Sequence, residues 1–325
     1  MLSRLPLVGS LIAAVLIGLP GASAQTYPDK NIRIIVPQGA GGMADMIGRY
    51  LANGILKDTG QTAVVENRAG GGTMIGSDIV AKSASDGYNI LLGTVSLTIV
   101  PAIDGTVPFN PQTDLVPVSR IAEMPSVLLV HKSVPATTLQ ELVDYAKKNP
   151  GKLSYASQGI GTTGHMAGEL FKQVAGIDLT HVPYRGSAPA AQDLIAGHVH
   201  ILFDALPLAV SNLKNDSVRA LAIASTKRSD ALPNVPTTTE AGFPAIQIAA
   251  WFGLFAPKDT PQPIINTLYG FVTKTFNAPD VRDKLSTQGA DLPLTEPAAF
   301  KEFMVKDTER WRGVAEAGKI KGQAQ

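Results

Sequence analysis

Val36-Pro-Gln-Gly-Ala-Gly-Gly-Met-Ala-Asp45 is the stretch whose reading decides the fold. It follows Asn31-Ile-Arg-Ile-Ile-Val36, a run that alternates as a strand does, and leads into Met46-Ile-Gly-Arg-Tyr-Leu51. In that last segment Met46, Ile47, Tyr50 and Leu51 fall on one helical face. The order is therefore strand, glycine-rich turn, helix. Gly39, Gly41 and Gly42 allow backbone with φ > 0 and a close approach of amides to a bound group. The unsatisfied N–H groups of the helix's first turn, at the positive end of its dipole, make such a turn an anion site. A plain tight turn between two packed elements has the same pattern. A second copy favours the ligand reading. Lys152-Leu-Ser-Tyr-Ala-Ser157 reads as a strand, Gln158-Gly-Ile-Gly-Thr-Thr-Gly164 as a turn and His165-Met-Ala-Gly-Glu-Leu-Phe171 as a helix start. Gln38-Gly-Ala-Gly and Gln158-Gly-Ile-Gly align residue for residue, which implies a ligand held between two halves.

Outward from these turns the chain alternates strands and helices. Thr62–Glu66 and Tyr88–Thr94 read as strands around a helix at Thr73–Ala81, a β-α-β-α-β order that implies a parallel sheet with helices on both faces. Ligands in such sheets sit beyond the carboxyl ends of the strands, where Gln38–Asp45 and Thr94–Ser96 fall. Pro101, Pro108, Pro111, Pro117 and Pro125 make the next section read as loop with a connecting segment. Val127–Val130, Leu179–Tyr184, His198–Asp204, Arg219–Ser225 and Trp251–Ala256 read as strands. Thr138 caps a helix over Leu139–Lys148, and Ser187 or Ala188 opens one through Ile195. The tail reads as three helices, Pro263–Phe276, Asp280–Thr287 and Pro297–Ala317. Phe300, Phe303, Met304, Trp311 and Val314 share one face of the last, making Trp311 a core residue.

Composition sets the compartment. Arg4, the apolar run Leu5–Leu19 and Ala22-Ser23-Ala24 form a secretory leader over residues 1–24, cleaved after Ala24, so the periplasm is expected. No later segment approaches a membrane-spanning length of apolar residues, so the mature chain is not expected to be membrane-inserted. With no cysteine anywhere there is no disulfide framework, and stability rests on core burial. Arg4 is the one leader residue among the 28 lysines and arginines, so the mature chain balances 27 basic against 27 acidic residues. That neutrality argues against nucleic acid or a membrane surface as partner. Roughly 300 residues remain, about two domains at ~150 each.

Several motifs resemble a known family. Ile34-Ile-Val-Pro-Gln-Gly-Ala-Gly-Gly-Met-Ala-Asp45, Tyr155-Ala-Ser-Gln-Gly-Ile-Gly-Thr-Thr-Gly-His165 and His181-Val-Pro-Tyr-Arg-Gly186 look like the tripartite tricarboxylate transporter receptors, the Bug-type periplasmic solute-binding proteins. Leu202-Phe-Asp204 and Leu232-Pro-Asn-Val-Pro-Thr237 are similar too, and the likeness runs from about Tyr27 to Lys319. It implies an α/β, two-lobed periplasmic binding protein fold (type II-like) with two crossover connections, a ligand cleft between the lobes and no catalysis. It also implies a monomer that carries a small carboxylate (dicarboxylate, acidic amino acid or aromatic acid) to membrane permease subunits, with no cofactor. The carboxylate would be held by a glycine loop and bridging waters. Where the family usually has an aromatic residue this chain has Gln38, which removes an apolar wall and adds an amide.

Two strand–turn–helix units facing each other need separate sheets, so residues 25–120 and 226–325 are expected to form lobe 1 and 121–225 lobe 2. The chain would cross near Ile121–Val127 and near Arg219–Ser225. The candidate ligand contacts are Gln38, Gly41, Gly42, Met43, Ala44 and Asp45 in the first turn, with Ser96 after the third strand. In the second half they are Ser157, Gln158, Gly161, Thr162, Thr163 and His165, with Asp204 at a strand end. Neither turn contains lysine or arginine, so binding would rest on fixed dipoles, hydroxyls, amides and ordered water. Asp45 either contacts the ligand or stabilises its helix start, and His165 either donates to a ligand oxygen or holds its loop. Thr162 and Thr163 are equally suited to capping.

Rival chemistries are weaker. Gly159-x-Gly161-x-x-Gly164 matches a dinucleotide fingerprint, but the acidic residue expected at the next strand's end is replaced by Tyr184-Arg185. His198 and His200 could pair on a strand face as metal ligands, without a third ligand nearby. Asp45 and Asp204 could serve an exported hydrolase as acid and base, yet no recognisable catalytic motif frames them.

Overall fold

The computed structural model describes residues 27–103, 107–184 and 186–320, so the leader reading lies outside the described residues. β1 (Ile32–Val36) shows why the opening run is a strand. Ile32, Ile34 and Val36 are buried in one core, Ile35 faces another, and the exposed Arg33 pairs with Glu66. Helix α1 (Met43–Thr59) follows, then β2 (Ala63–Asn67), α2 (Met74–Ala81), β3 (Asn89–Thr94) and α3 (Ser96–Ile103). β1 lies between β2 and β3, parallel to both. Beyond β3 the sheet continues antiparallel through β9 (Ala249–Pro257) to β4 (Leu115–His131).

β4 is the longest strand and is common to both halves, so the two strand–turn–helix units stand on one nine-stranded sheet and not on the separate sheets expected. Its first part, Leu115–Pro125, pairs with β9; its second, Ser126–His131, runs between β7 (Ile201–Ala205) and β8 (Val218–Ile223). Past β7 come β5 (Ser154–Ser157) and β6 (Thr180–Pro183), parallel to one another and to β7. Where β4 changes partners, three chain segments are tied by backbone alone. Ala224 N–H donates to the Ser126 carbonyl (2.8 Å), Ser126 N–H to that of Ile248 (2.8 Å), and Ile248 N–H to that of Ala224 (2.9 Å).

The proline-rich section is a loop at Pro108 and Pro111, as its composition suggests, but not at its other prolines. Pro101 lies inside α3, and Pro117 and Pro125 lie inside β4. Proline is excluded from a strand only where its missing N–H breaks the ladder. Pro117 sits at a register shift against β9, and Pro125 is the last residue before β4 exchanges β9 for β7, so neither interrupts a regular ladder.

The second half is completed by α4 (Leu139–Lys148), α5 (Thr163–Ala175), α6 (Ser187–Ala196) and α7 (Leu206–Asn212). Thr138 caps α4 by accepting the Glu141 amide, as expected. α7 is a short helix that the sequence reading misses. After β9 come α8 (Gln262–Phe276), α9 (Pro279–Ser286) and α10 (Pro297–Gly318). α10 packs on α3, β4 and α5 and so spans both halves. It buries Phe300, Met304, Trp311 and Val314, the face its periodicity marks. Its buried Asp307 accepts from Thr98 Oγ1 (2.7 Å) and Trp251 Nε1 (3.0 Å). One core lies under α1 and α8; a second runs under α10 and continues beneath α4 and α5 into the second half. A third lies under α6 and α7, around Val127, Leu129, Leu202 and Ile223.

Candidate functional site: two matched glycine turns

The two turns correspond residue for residue: Gln38 to Gln158, Gly41 to Gly161, Asp45 to His165. Gly41 (φ 85°) and Gly161 (φ 76°) both take the left-handed conformation that glycine adopts without strain. Each donates its amide to the side chain four residues on. Gly41 N–H reaches Asp45 Oδ2 at 3.1 Å, and Gly161 N–H reaches His165 Nδ1 at 3.2 Å. The helices start at equivalent places, Met43 and Thr163. Their first-turn amides have no intrahelical acceptor, so each helix start carries backbone donors, of which the His165 amide is met by Thr162.

The surroundings differ. In the first turn no side chain caps α1, whose N-cap is Gly42. Gln38 and Met43 are half-buried, Gly41 and Gly42 exposed, Ala44 and Asp45 buried. Asn67, at the end of β2, donates to the Gln38 carbonyl (3.1 Å) and tethers the turn to the sheet. Arg49 Nε pairs with Asp45 Oδ2 at 2.9 Å. The Arg49 guanidinium, then the Gly41 amide, hold the Asp45 carboxyl below the usual carboxylate range, against the opposing effect of burial.

In the second turn Thr162 is the N-cap. Its Oγ1 lies 3.5 Å from the His165 amide and donates to the Gly159 carbonyl at 2.6 Å. Gln158 lies over the start of α5, its Oε1 beside Thr162 Oγ1 (3.5 Å) and Gly164, while its Nε2 donates to the Phe203 carbonyl (3.1 Å) and reaches Asp204 Oδ1 (3.4 Å). Asp204 also accepts from Ala205 N–H (3.0 Å) and Asn212 Nδ2 (3.1 Å). Burial nevertheless pushes its carboxyl up to about 6. Ser157 is fully buried, accepts from Gly159 N–H (3.2 Å) and meets His181 Nε2 at 2.7 Å. Behind the turn, His181 stacks between Tyr155 (4.7 Å) and His165 (4.3 Å). Burial pushes the His181 imidazole down to about 3 and lowers that of His165 as well.

α3 reaches the second turn. It opens at the buried Ser96, and its far end places Val100 and Ile103 against Gly161; Val100 also lies by Gly72, in the turn after β2. Asn67, Arg49, Tyr155, His181, Val100 and Ile103 are participants the sequence reading did not single out. The glycine run after Asn67 was the one available pointer to that corner. His198 and His200 do not share a strand face: β7 starts at Ile201, and the His198 amide donates to Asp193 at the end of α6. His198 pairs with Asp193 and His200 with Ser154. Among the described residues no three His, Cys, Asp or Glu side chains are grouped to hold a metal.

Residues 47–319 match the model of the tripartite tricarboxylate transporter family receptor. The chain belongs to that family. Protein BugT of Bordetella pertussis is 36% identical to this receptor over 316 residues, covering 95% of each chain. A solved Rhodopseudomonas palustris protein, Rpa4515 with adipate, is 35% identical with a TM-score of 0.82, over 91% of this chain and 99% of that one. MatC of the same organism, with bound malate, is 32% identical with a TM-score of 0.78, over 89% and 99%. The receptor is thus a periplasmic solute-binding protein of the two-lobed fold, and not an enzyme. No helix among its described residues is long and apolar enough to cross a membrane.

Proposed function

We propose that this receptor captures a small organic acid between its two glycine turns and delivers it to the permease subunits of a tripartite tricarboxylate-type transporter. One observation carries the reading: both turns consume the glycine amide internally, through Asp45 and His165, and leave the next helix amides to a ligand. The contacts are then the amides of the half-buried Met43 on one side and Thr163 on the other, Ala44 and Gly164 being buried. The Gln38 amide and the Ser96 and Thr163 hydroxyls supplement them. Asp45, Gln158, Ser157 and Asp204 hold the turns rather than the ligand. Two amide clusters suit an acid with a polar group at each end, and adipate and malate in the related structures are of that kind. The protein works as a monomer after cleavage of its leader behind Ala24.

The lobes move about the backbone junction at Ser126, Ala224 and Ile248. Residues 226–248 travel with the second lobe, because Pro236 and Thr238 bond to Ile223 and Leu232 and Val235 pack on the third core. On this reading the return crossing is at Ile248–Ala249 and not near Arg219–Ser225.

Calorimetry over a panel of mono- and dicarboxylates, their amides and sugars tests the ligand class. A dicarboxylate is expected to bind best, to raise the melting temperature by binding the folded form, and to depend only modestly on salt. Should a sugar or an uncharged amide bind best while no acid binds, the amide clamp is wrong.

A further inference from the structure

We propose that His165 is a positioning residue whose neutral ring, accepting the Gly161 amide at Nδ1, sets the second turn in its anion-presenting shape. The benefit to binding rests on the function proposed above; the bond itself does not. A backbone N–H can only donate, so Nδ1 holds the lone pair and the ring proton is on Nε2. The ring cannot swing away, because the stack of His181 and Tyr155 fixes its plane, at 17° between His165 and His181. That stack is itself anchored. Ser157 Oγ holds His181 (2.7 Å), and Tyr155 Oη donates to Glu169 Oε1 (2.7 Å), whose two oxygens pair with Lys172 Nζ at 3.0 Å.

The titratable groups facing His165 are therefore Glu169 and Lys172 from its own helix, His181 from β6 and Tyr155 from β5. α3 brings only the apolar Val100 and Ile103 to Gly161. Burial, more than any of these charges, keeps the His165 imidazole neutral below the ordinary histidine range, although Glu169 acts in the opposite direction. Protonating Nδ1 sets donor against donor and releases the Gly161 amide. The first turn has no such device, since Asp45 accepts as a carboxylate and retains a carbonyl oxygen when protonated.

The test follows hydrogen exchange of the Gly161 and Gly41 amides by NMR in the full mature chain, for wild type, His165→Asn and His165→Phe. Phe keeps the stack without an acceptor; Asn keeps an acceptor that does not titrate. His165→Phe is expected to lower Gly161 protection roughly tenfold, the worth of one hydrogen bond, with Gly41 unchanged. His165→Asn should restore it. Wild type should lose Gly161 protection on acidification through a group titrating below the usual histidine range, and that step should vanish in His165→Asn. With malate and adipate as probes, Phe should weaken whichever the wild type binds by about tenfold, and Asn should not. Unchanged Gly161 protection in His165→Phe, or Asn no better than Phe, overturns the assignment. If the Phe variant does not fold, the presence of the acid step in wild type and its absence in Asn decides the matter. The exchange measurement needs no ligand, so a panel in which no acid binds removes the proposed function and leaves the role of His165 standing.

Discussion

In the first turn a glycine amide is taken up by a carboxylate oxygen that also accepts from Arg49, whose side chain is 59% exposed. In the second the same amide goes to an imidazole stacked on two further rings, with a buried carboxylate beneath the loop. One backbone frame is thus held by two unlike sets of side chains. The frame is what both helix starts require; the means of holding it is free to vary. The second turn depends on the packing and protonation of buried groups, the first on local polar contacts at the surface.

The contrast is broken most sharply at Tyr155. This buried ring lies under the His181 stack and fills the space that a side chain at Gly168 would need. Tyr155→Ala is expected to cost about 3–5 kcal/mol by chemical denaturation, the usual range for emptying a buried aromatic site. A cost below ~1 kcal/mol would show that the second turn is no more core-dependent than the first.

Asp204 gives the next effect, through pH. Its carboxyl is raised from 3.8 to about 6 in the folded state, so the folded protein holds that proton more tightly than the unfolded chain does. The associated stability is present below pH ~4 and is lost as pH rises through about 6, amounting to about 3 kcal/mol. Unfolding free energies of wild type and Asp204→Asn, measured from pH 4 to 7, should therefore diverge across that window. Parallel curves would remove buried titration from the second turn.

How much of this was legible in the sequence follows from which physics is local. Glycine spacing and helical periodicity are local signals, and they located both turns, β1 and the buried face of α10. The Leu139–Lys148 helix came out with its observed bounds, because Thr138 is a local cap. β4 was hidden because its prolines are tolerated only where the register shifts or the partner changes, facts that depend on β9 and β7. α7 was missed as a seven-residue helix that begins at the end of β7. Within the site, the position of Asp45 and His165 four residues after equivalent glycines was readable from the alignment of the two turns. The Tyr155–His181–His165 stack was not, since it joins residues from two strands and a helix.

Smaller effects sharpen the comparison. Thr162→Ala removes the cap of α5 and should cost about 1 kcal/mol in a denaturant titration. The opposite change suits the first turn, where Gly42 is an N-cap with extended backbone and room for a Cβ, the Gly39 carbonyl oxygen being 3.8 Å from where it would sit. Gly42→Ser should stabilise by only a few tenths of a kcal/mol in thermal melts. It should nevertheless weaken binding of the preferred acid in calorimetry, because the new hydroxyl takes up a first-turn amide. Unchanged affinity would mean that the first-turn amides do not serve the ligand.

The backbone junction at Ser126, Ala224 and Ile248 also dictates an order of assembly. Everything from Ser126 to Ile248 is one continuous run of chain, complete before β9 is made. The sheet on the other side of the junction joins β3 to β9, with Leu91 beside Phe255, and Thr98 waits for Asp307. Those partners arrive last as the chain emerges. The half carrying the first turn must close long loops before its contacts stabilise it, which makes it the slower half to fold and the longer exposed to misassembly.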